Sequence, residues 1–184
     1  MNDTPSLLDR ARTGDRLAFD ELFQQLYPEL KRMAHARLAG HRPGTLMETT
    51  VLLHECWLRF SESWRLAAAD RGHFMAYSAR VMRSVVVDAV RASQRERRGG
   101  GVAHVTLDSA LVEALALPED EVLDIDGALA DLAALEPRLA QVVEMRYFAG
   151  MKEAEVAQAL GISERTVRRD WEKARMLLAD ALRP

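Results

Sequence analysis

Residues 152–178, KEAEVAQALGISERTVRRDWEKARMLL, carry the reading that decides the fold. Each residue type has a mechanical reason to stand where it does. Ala157 is small, so two helices can cross closely. Gly161 follows the first helical run, where a left-handed residue is needed to end it. Ile162 plugs the turn. Ser163 can cap the next helix by accepting from a free backbone N–H, and Glu164 suits that helix's positive end. Val167, Trp171, Ala174 and Leu178 recur at intervals of four, three and four, the spacing of one buried helical stripe. Two helices joined in this way form a helix-turn-helix. Arg165, Thr166, Arg168, Arg169 and Lys173 lie off the stripe. With Ser163 they are the candidate DNA contacts, because the first half of a recognition helix meets bases and phosphates in the major groove. A plain helical hairpin with solvated arginines is the alternative, and the agreement of cap, glycine, turn plug and stripe weighs against it.

Working outward, PRLAQVVEMRYFAG (137–150) opens with Pro137 in a first helical turn. Val142, Val143, Met145, Tyr147 and Phe148 are expected to complete a small core with the helix-turn-helix. Residues 99–122 hold GGG at 99–101, Pro118, five acids and no Lys or Arg, which reads as a flexible acidic linker. Before it lie three long helical runs. LAFDELFQQLYPELKRMAHARLAG places Phe19, Leu22, Phe23, Leu26, Leu30, Met33 and Leu38 at helical spacing, with a kink or split expected at Pro28. After the breaker HRPGT (41–45), Thr45 and Glu48 fit a capping box, with Thr49 or Thr50 as alternative caps. Leu52, Leu53, Cys56, Trp57 and Phe60 form an apolar face. The loop RLAAADRGH (65–73) leads into FMAYSARVMRSVVVDAVRASQRERR, where Phe74, Tyr77, Val81 and Val85 face inward and Arg80, Arg83 and Arg91 are basic. The pattern predicts an all-α protein. Two helical domains, 6–98 and 123–182, are joined by the linker 99–122, and the second is the helix-turn-helix domain.

The 184 residues are 48% hydrophobic and 29% charged with only 6% aromatic, a balance that allows a core and favours helices. The net charge of −3 hides a segregation: +4 over residues 1–98, −5 over 99–122 and −2 over 123–184. Positive charge is local, at RASQRERR (91–98) and around Arg165 to Arg175. A single cysteine, Cys56, excludes an intramolecular disulfide framework and fits a reducing compartment. No leader peptide and no run of about 18 apolar residues is visible, so a cytoplasmic protein without a membrane partner is expected. His35, His41, His54, His73 and His104 form no ligand spacing with acids or Cys56, and no cofactor is expected. No nucleophile, base and acid cluster together, so no enzyme is expected.

The ordered set of parts resembles the extracytoplasmic-function sigma factors of bacterial RNA polymerase over nearly the whole length. GDRLAFDELF (14–23) is similar to the family's opening motif, and FMAYSARVMRSVVVDAVR (74–91) to its −10-reading helix. The resemblance implies a transcription factor that binds core polymerase and directs it to promoter DNA. It implies −35 contacts through Ser163, Arg165, Thr166, Arg168, Arg169 and Lys173. It implies −10 contacts through Asp70, Arg71, His73, Arg80, Arg83, Ser84 and Arg91. Docking on the β′ clamp helices falls to Glu48, Thr49, Thr50, Leu52, Leu53 and Glu55, and the β flap is a second polymerase contact. Thr49, Thr50 and Val51 stand where the family usually carries acids. In this the chain resembles a subgroup linked to Ser/Thr kinases, which implies phosphorylation at Thr50, or alternatively Thr49. A stand-alone helix-turn-helix regulator binding duplex DNA as a dimer is the other reading. It leaves residues 6–98 without a role.

Overall fold

The structure, a computed structural model, describes residues 4–38, 45–62, 70–98 and 118–183. The breaker at 41–44, the side chains of the Thr45–Glu48 capping box, most of the 65–73 loop and the glycine-led start of the linker lie outside the described residues. Those described are all-α, with no strand among them. The helices are α1 (Thr4–Arg12), α2 (Arg16–Arg37), α3 (Thr45–Glu62), α4 (Arg71–Arg98), α5 (Glu119–Leu135), α6 (Pro137–Val143), α7 (Glu153–Leu160) and α8 (Glu164–Ala181). A π-helical turn, Glu144–Phe148, extends α6.

α2 starts at Asp15, whose carboxylate accepts from the Ala18 N–H at 3.1 Å. Arg10 of α1 clasps the same carboxylate at 2.6 Å, which joins α1 to α2. The Ala18 N–H first, and Arg10 second, hold the Asp15 carboxyl below its ordinary range. The expected split at Pro28 does not occur, and α2 runs unbroken to Arg37. Proline removes one backbone hydrogen bond. Leu22, Leu26, Leu30 and Met33 on either side of it are buried, and their packing holds the helix across the gap.

α5 takes in residues 119–122, expected in the linker. Glu119, Asp120 and Glu121 stand in its first turn, where negative charge complements the helix dipole. Val122 is fully buried. The helix-turn-helix forms from α7 and α8 as its local chemistry predicts. Gly161 ends α7 in the left-handed conformation, φ 64 and ψ 33, and the Ile162 N–H reaches back to the Ala157 carbonyl at 3.0 Å. Ser163 caps α8 by accepting from the Thr166 N–H at 3.1 Å.

Among the described residues, two apolar clusters form the core. The smaller joins Leu129, Leu132, Leu139, Ala140, Val143, Phe148 and Ala174. The larger fills the space among α1–α4 and continues into Val122, Val142, Met145, Met151, Val156, Ala157, Ala159 and Val167. This corrects one expectation. Val142 and Met145 fall in the larger cluster, with Val156, Ala157 and Val167 of the helix-turn-helix as well as the N-terminal helices, so the expected small core is continuous with the first half of the chain. The π turn is the reason. Its bond from the Ala149 N–H to the Glu144 carbonyl, 3.1 Å, spans five residues and widens the helix. Phe148 can then face the smaller cluster while Met145 faces the larger.

Candidate nucleic-acid interface

The buried stripe of α8 dictates what its other side presents. Val167 and Ala174 are fully buried, and Trp171 and Leu178 pack partly against the same interior. Asp170, which lies between them, is also buried, and Arg138 of α6 meets it at 2.7 Å. That anchor was missed from the sequence, because a carboxylate one residue before Trp171 reads as surface. Ser163, Arg165, Arg168, Arg169 and Lys173 all lie on the exposed side, with Thr166 at its edge.

Several of these cations already have acidic neighbours that fix their starting positions. Glu153, at the first turn of α7, accepts from Arg168 at 2.8 Å and from Arg146 at 2.7 Å. Arg168 first and Arg146 second hold the Glu153 carboxyl below its ordinary value. Arg146 in turn lies 4.9 Å over the Trp171 ring, so the loop side of the helix-turn-helix is tied to the recognition helix. Lys173 meets Glu136 at 2.8 Å, and Arg169 lies 3.4 Å from Asp170. The Lys173–Glu136 pair is exposed on both sides and so worth little, whereas Arg169 leans on the buried Asp170.

The residues expected at the −10 strand gather along α4 and its start. Asp70 caps α4, accepting from the His73 backbone N–H and facing the His73 ring, each at 2.9 Å. Burial raises the Asp70 pKa, but the two His73 interactions outweigh it, and the carboxyl titrates below its ordinary value. Arg71 pairs with Glu29 of α2 at 2.5 Å. Ser84 accepts from Arg59 of α3, which also meets Asp88 at 2.7 Å. Arg80 and Arg91 are exposed, whereas Arg83 is enclosed by Asp126 and Glu144. Tyr77 packs 5.5 Å from the Phe60 ring.

The expected docking set does not share one surface. Thr49, Leu52 and Leu53 are buried, Glu55 is half-buried and Thr50 is exposed; the Glu48 side chain lies outside the described ones. The leucines are core residues because, with Phe60, they form the face of α3 that packs into the larger cluster. Cys56 is also fully buried, and burial pushes its thiol up to about 12. Among the described residues no group of His, Cys, Asp and Glu could hold a metal ion, and no helix is long and apolar enough to cross a membrane.

An all-α chain with a capped helix-turn-helix and a cationic outer face has the build of the DNA-binding class. The comparison with known proteins narrows the class. The family described as ECF sigma factor matches residues 1–184, and the chain belongs to it. A curated relative, the ECF RNA polymerase sigma factor SigK of Mycobacterium ulcerans (strain Agy99), is 31% identical over 193 residues, covering 99% of this chain and 91% of the relative. The chain is thus an alternative sigma factor, a transcription initiation factor whose partners are core RNA polymerase and promoter DNA.

Proposed function

We propose that α8 reads the −35 element, that the face of α4 carrying Arg80, Arg83 and Arg91 reads the −10 element, and that the exposed side of α3 docks on the β′ clamp helices, with the C-terminal helices meeting the β flap. The observation that carries this reading is the outer face of α8. Arg165, Arg168, Arg169 and Lys173 stand exposed on a helix whose other side is fixed by Val167, Asp170 and Ala174. A guanidinium there can reach guanine bidentately, worth ~1–3 kcal/mol per contact. Catalysis of RNA synthesis stays with the polymerase. The chain supplies promoter choice and helps strand opening, where a few kcal/mol of unstacking must be offset by cations and a pocket.

The test is reconstitution with core polymerase on a promoter library. The wild-type chain is expected to select one −35/−10 pair. Arg168→Ala with Arg169→Ala is expected to lose selection at the −35 positions, by roughly 1–3 kcal/mol for each base contact. Unchanged transcription from the selected promoter would assign recognition to another face. Binding of a palindromic duplex by a dimer, without polymerase, would favour the stand-alone regulator instead.

Docking has a chemical gap that a kinase can fill. Thr50 is exposed in the second turn of α3, whereas Thr49 is fully buried. Phosphorylation of Thr50 adds about −1.5 to −2 of charge where the resembled family carries carboxylates. Wild-type protein treated with a cognate Ser/Thr kinase should bind core polymerase more tightly than untreated protein, and Thr50→Ala should not respond. Equal binding in all forms removes the switch.

A further inference from the structure

Glu153, the first residue of α7, divides its two carboxylate oxygens between the interior and the outer face of the helix-turn-helix. Oε1 accepts from Arg146 Nη1 at 2.7 Å, and Oε2 accepts from Arg168 Nη2 at 2.8 Å. The two guanidinium groups are placed differently. Arg146 is 24% exposed and lies 4.9 Å over the Trp171 ring, so the Oε1 side is anchored from within. Arg168 is 61% exposed, on the outer face of α8. Its neighbours on that face are held otherwise. Lys173 pairs with Glu136, itself 48% exposed, and Arg169 reaches its chain neighbour Asp170 at 3.4 Å. The contacts with Arg168 and then Arg146 keep Glu153 below the ordinary carboxylate range, so it is charged at neutral pH.

We propose that Glu153 is a positioning residue for promoter choice: it buttresses Arg168 so that the rest of this guanidinium is presented to a guanine of the −35 element. The inference rests on the assignment of α8 to that element made above. A guanidinium carries five N–H donors in one rigid plane. The bond to Oε2 uses one N–H of Nη2 and leaves donors enough to meet O6 and N7 of guanine. With the plane already held, less rotamer freedom is lost when the base is met. An exposed arginine could otherwise settle on a phosphate, a contact that carries no sequence information. Glu153 opposes that outcome, because the first helix of a helix-turn-helix crosses the DNA backbone and a carboxylate at its start repels phosphate. The two effects of Glu153 therefore have opposite signs. Its loss removes a negative charge close to DNA and favours binding of any sequence. The same loss frees the Arg168 fork and weakens discrimination at one base pair.

The test uses the full chain with core polymerase on promoters randomised across the −35 element. The wild type is expected to prefer guanine at one position, and Arg168→Ala to abolish that preference. Glu153→Gln and Glu153→Ala should each reduce the same preference roughly three- to tenfold, with the other positions keeping theirs. Neither change should weaken binding of the holoenzyme to unselected duplex. In the Arg168→Ala background the Glu153 changes should alter no base preference, since the carboxylate acts through that side chain. Base preference is a ratio among promoters in one sample, so a partly unfolded variant still reports it. A merely structural Glu153 would lower transcription from every promoter alike and leave the ratios where they were. That result overturns the buttress, as does a Glu153 effect on base preference that survives without Arg168. Should Arg168→Ala change no preference while Arg165→Ala or Arg169→Ala shifts other −35 positions, the recognition face stands and the buttress alone falls. If none of the three arginine variants shifts any −35 position, the assignment of α8 has failed as well.

Discussion

Glu153 couples the two sides of the helix-turn-helix through one carboxylate, accepting from Arg146 and Arg168 at once. Its pKa is depressed in the folded chain from the ordinary 4.5. A carboxyl with a lowered folded pKa contributes stability that is present above its unfolded value and is lost as pH falls through the folded one. The wild type should therefore melt higher than Glu153→Gln near neutral pH, and the gap should close as the pH drops below the ordinary glutamate range. A gap that persists unchanged into acid would mean that Glu153 acts through packing or capping, not charge. The Arg146 ring contact supplies the control, because Trp171 holds that guanidinium whatever the charge on Glu153.

Among the elements, the helix-turn-helix was legible because its determinants are local. Gly161, Ser163 and the 167–171–174–178 stripe lie within a single stretch, and each acts on a neighbour a few residues away. α4 was half legible. Its apolar period gave one inward face, but Val85, Val86 and Val87 are all buried, and three consecutive buried positions cannot lie on one side of a helix. That run was the signal that a second layer covers α4. The covering layer is the π turn with α5 and α7, and a π turn has no sequence mark comparable to a cap. Its register can be tested at Phe148, which is 1% exposed and lies against Leu129, Leu139 and Ala174. Phe148→Ala should cost about 3–5 kcal/mol by loss of transfer energy and the cavity left behind. Denaturant unfolding measures it, and a cost under about 1 kcal/mol would mean the turn relaxes to an ordinary helix and refills the space.

For the whole molecule, the two-part organisation was read from composition, whereas the packing of the parts on one another was not. The bonds that join them span 43 residues from Arg83 to Asp126 and 61 to Glu144. No periodicity reports a partner at that separation, and the sequence offered Arg83 as a −10 contact without any sign of the acids that enclose it. The consequence is thermodynamic. Since one apolar cluster runs from Leu7 to Val167, the halves should unfold together. Scanning calorimetry is expected to show a single endotherm of roughly 130 kcal/mol near 60 °C for a chain of this length, with calorimetric and van't Hoff enthalpies equal. Arg83→Ala then discriminates further. Its partners Asp126 and Glu144 come from the other half, and removing the guanidinium leaves two enclosed carboxylates without their main partner. The expected loss is about 3–5 kcal/mol in a transition that stays single. A loss under about 1 kcal/mol would show that these acids turn to water or to Arg80 and Arg91 instead, and that the apolar cluster alone holds the halves together.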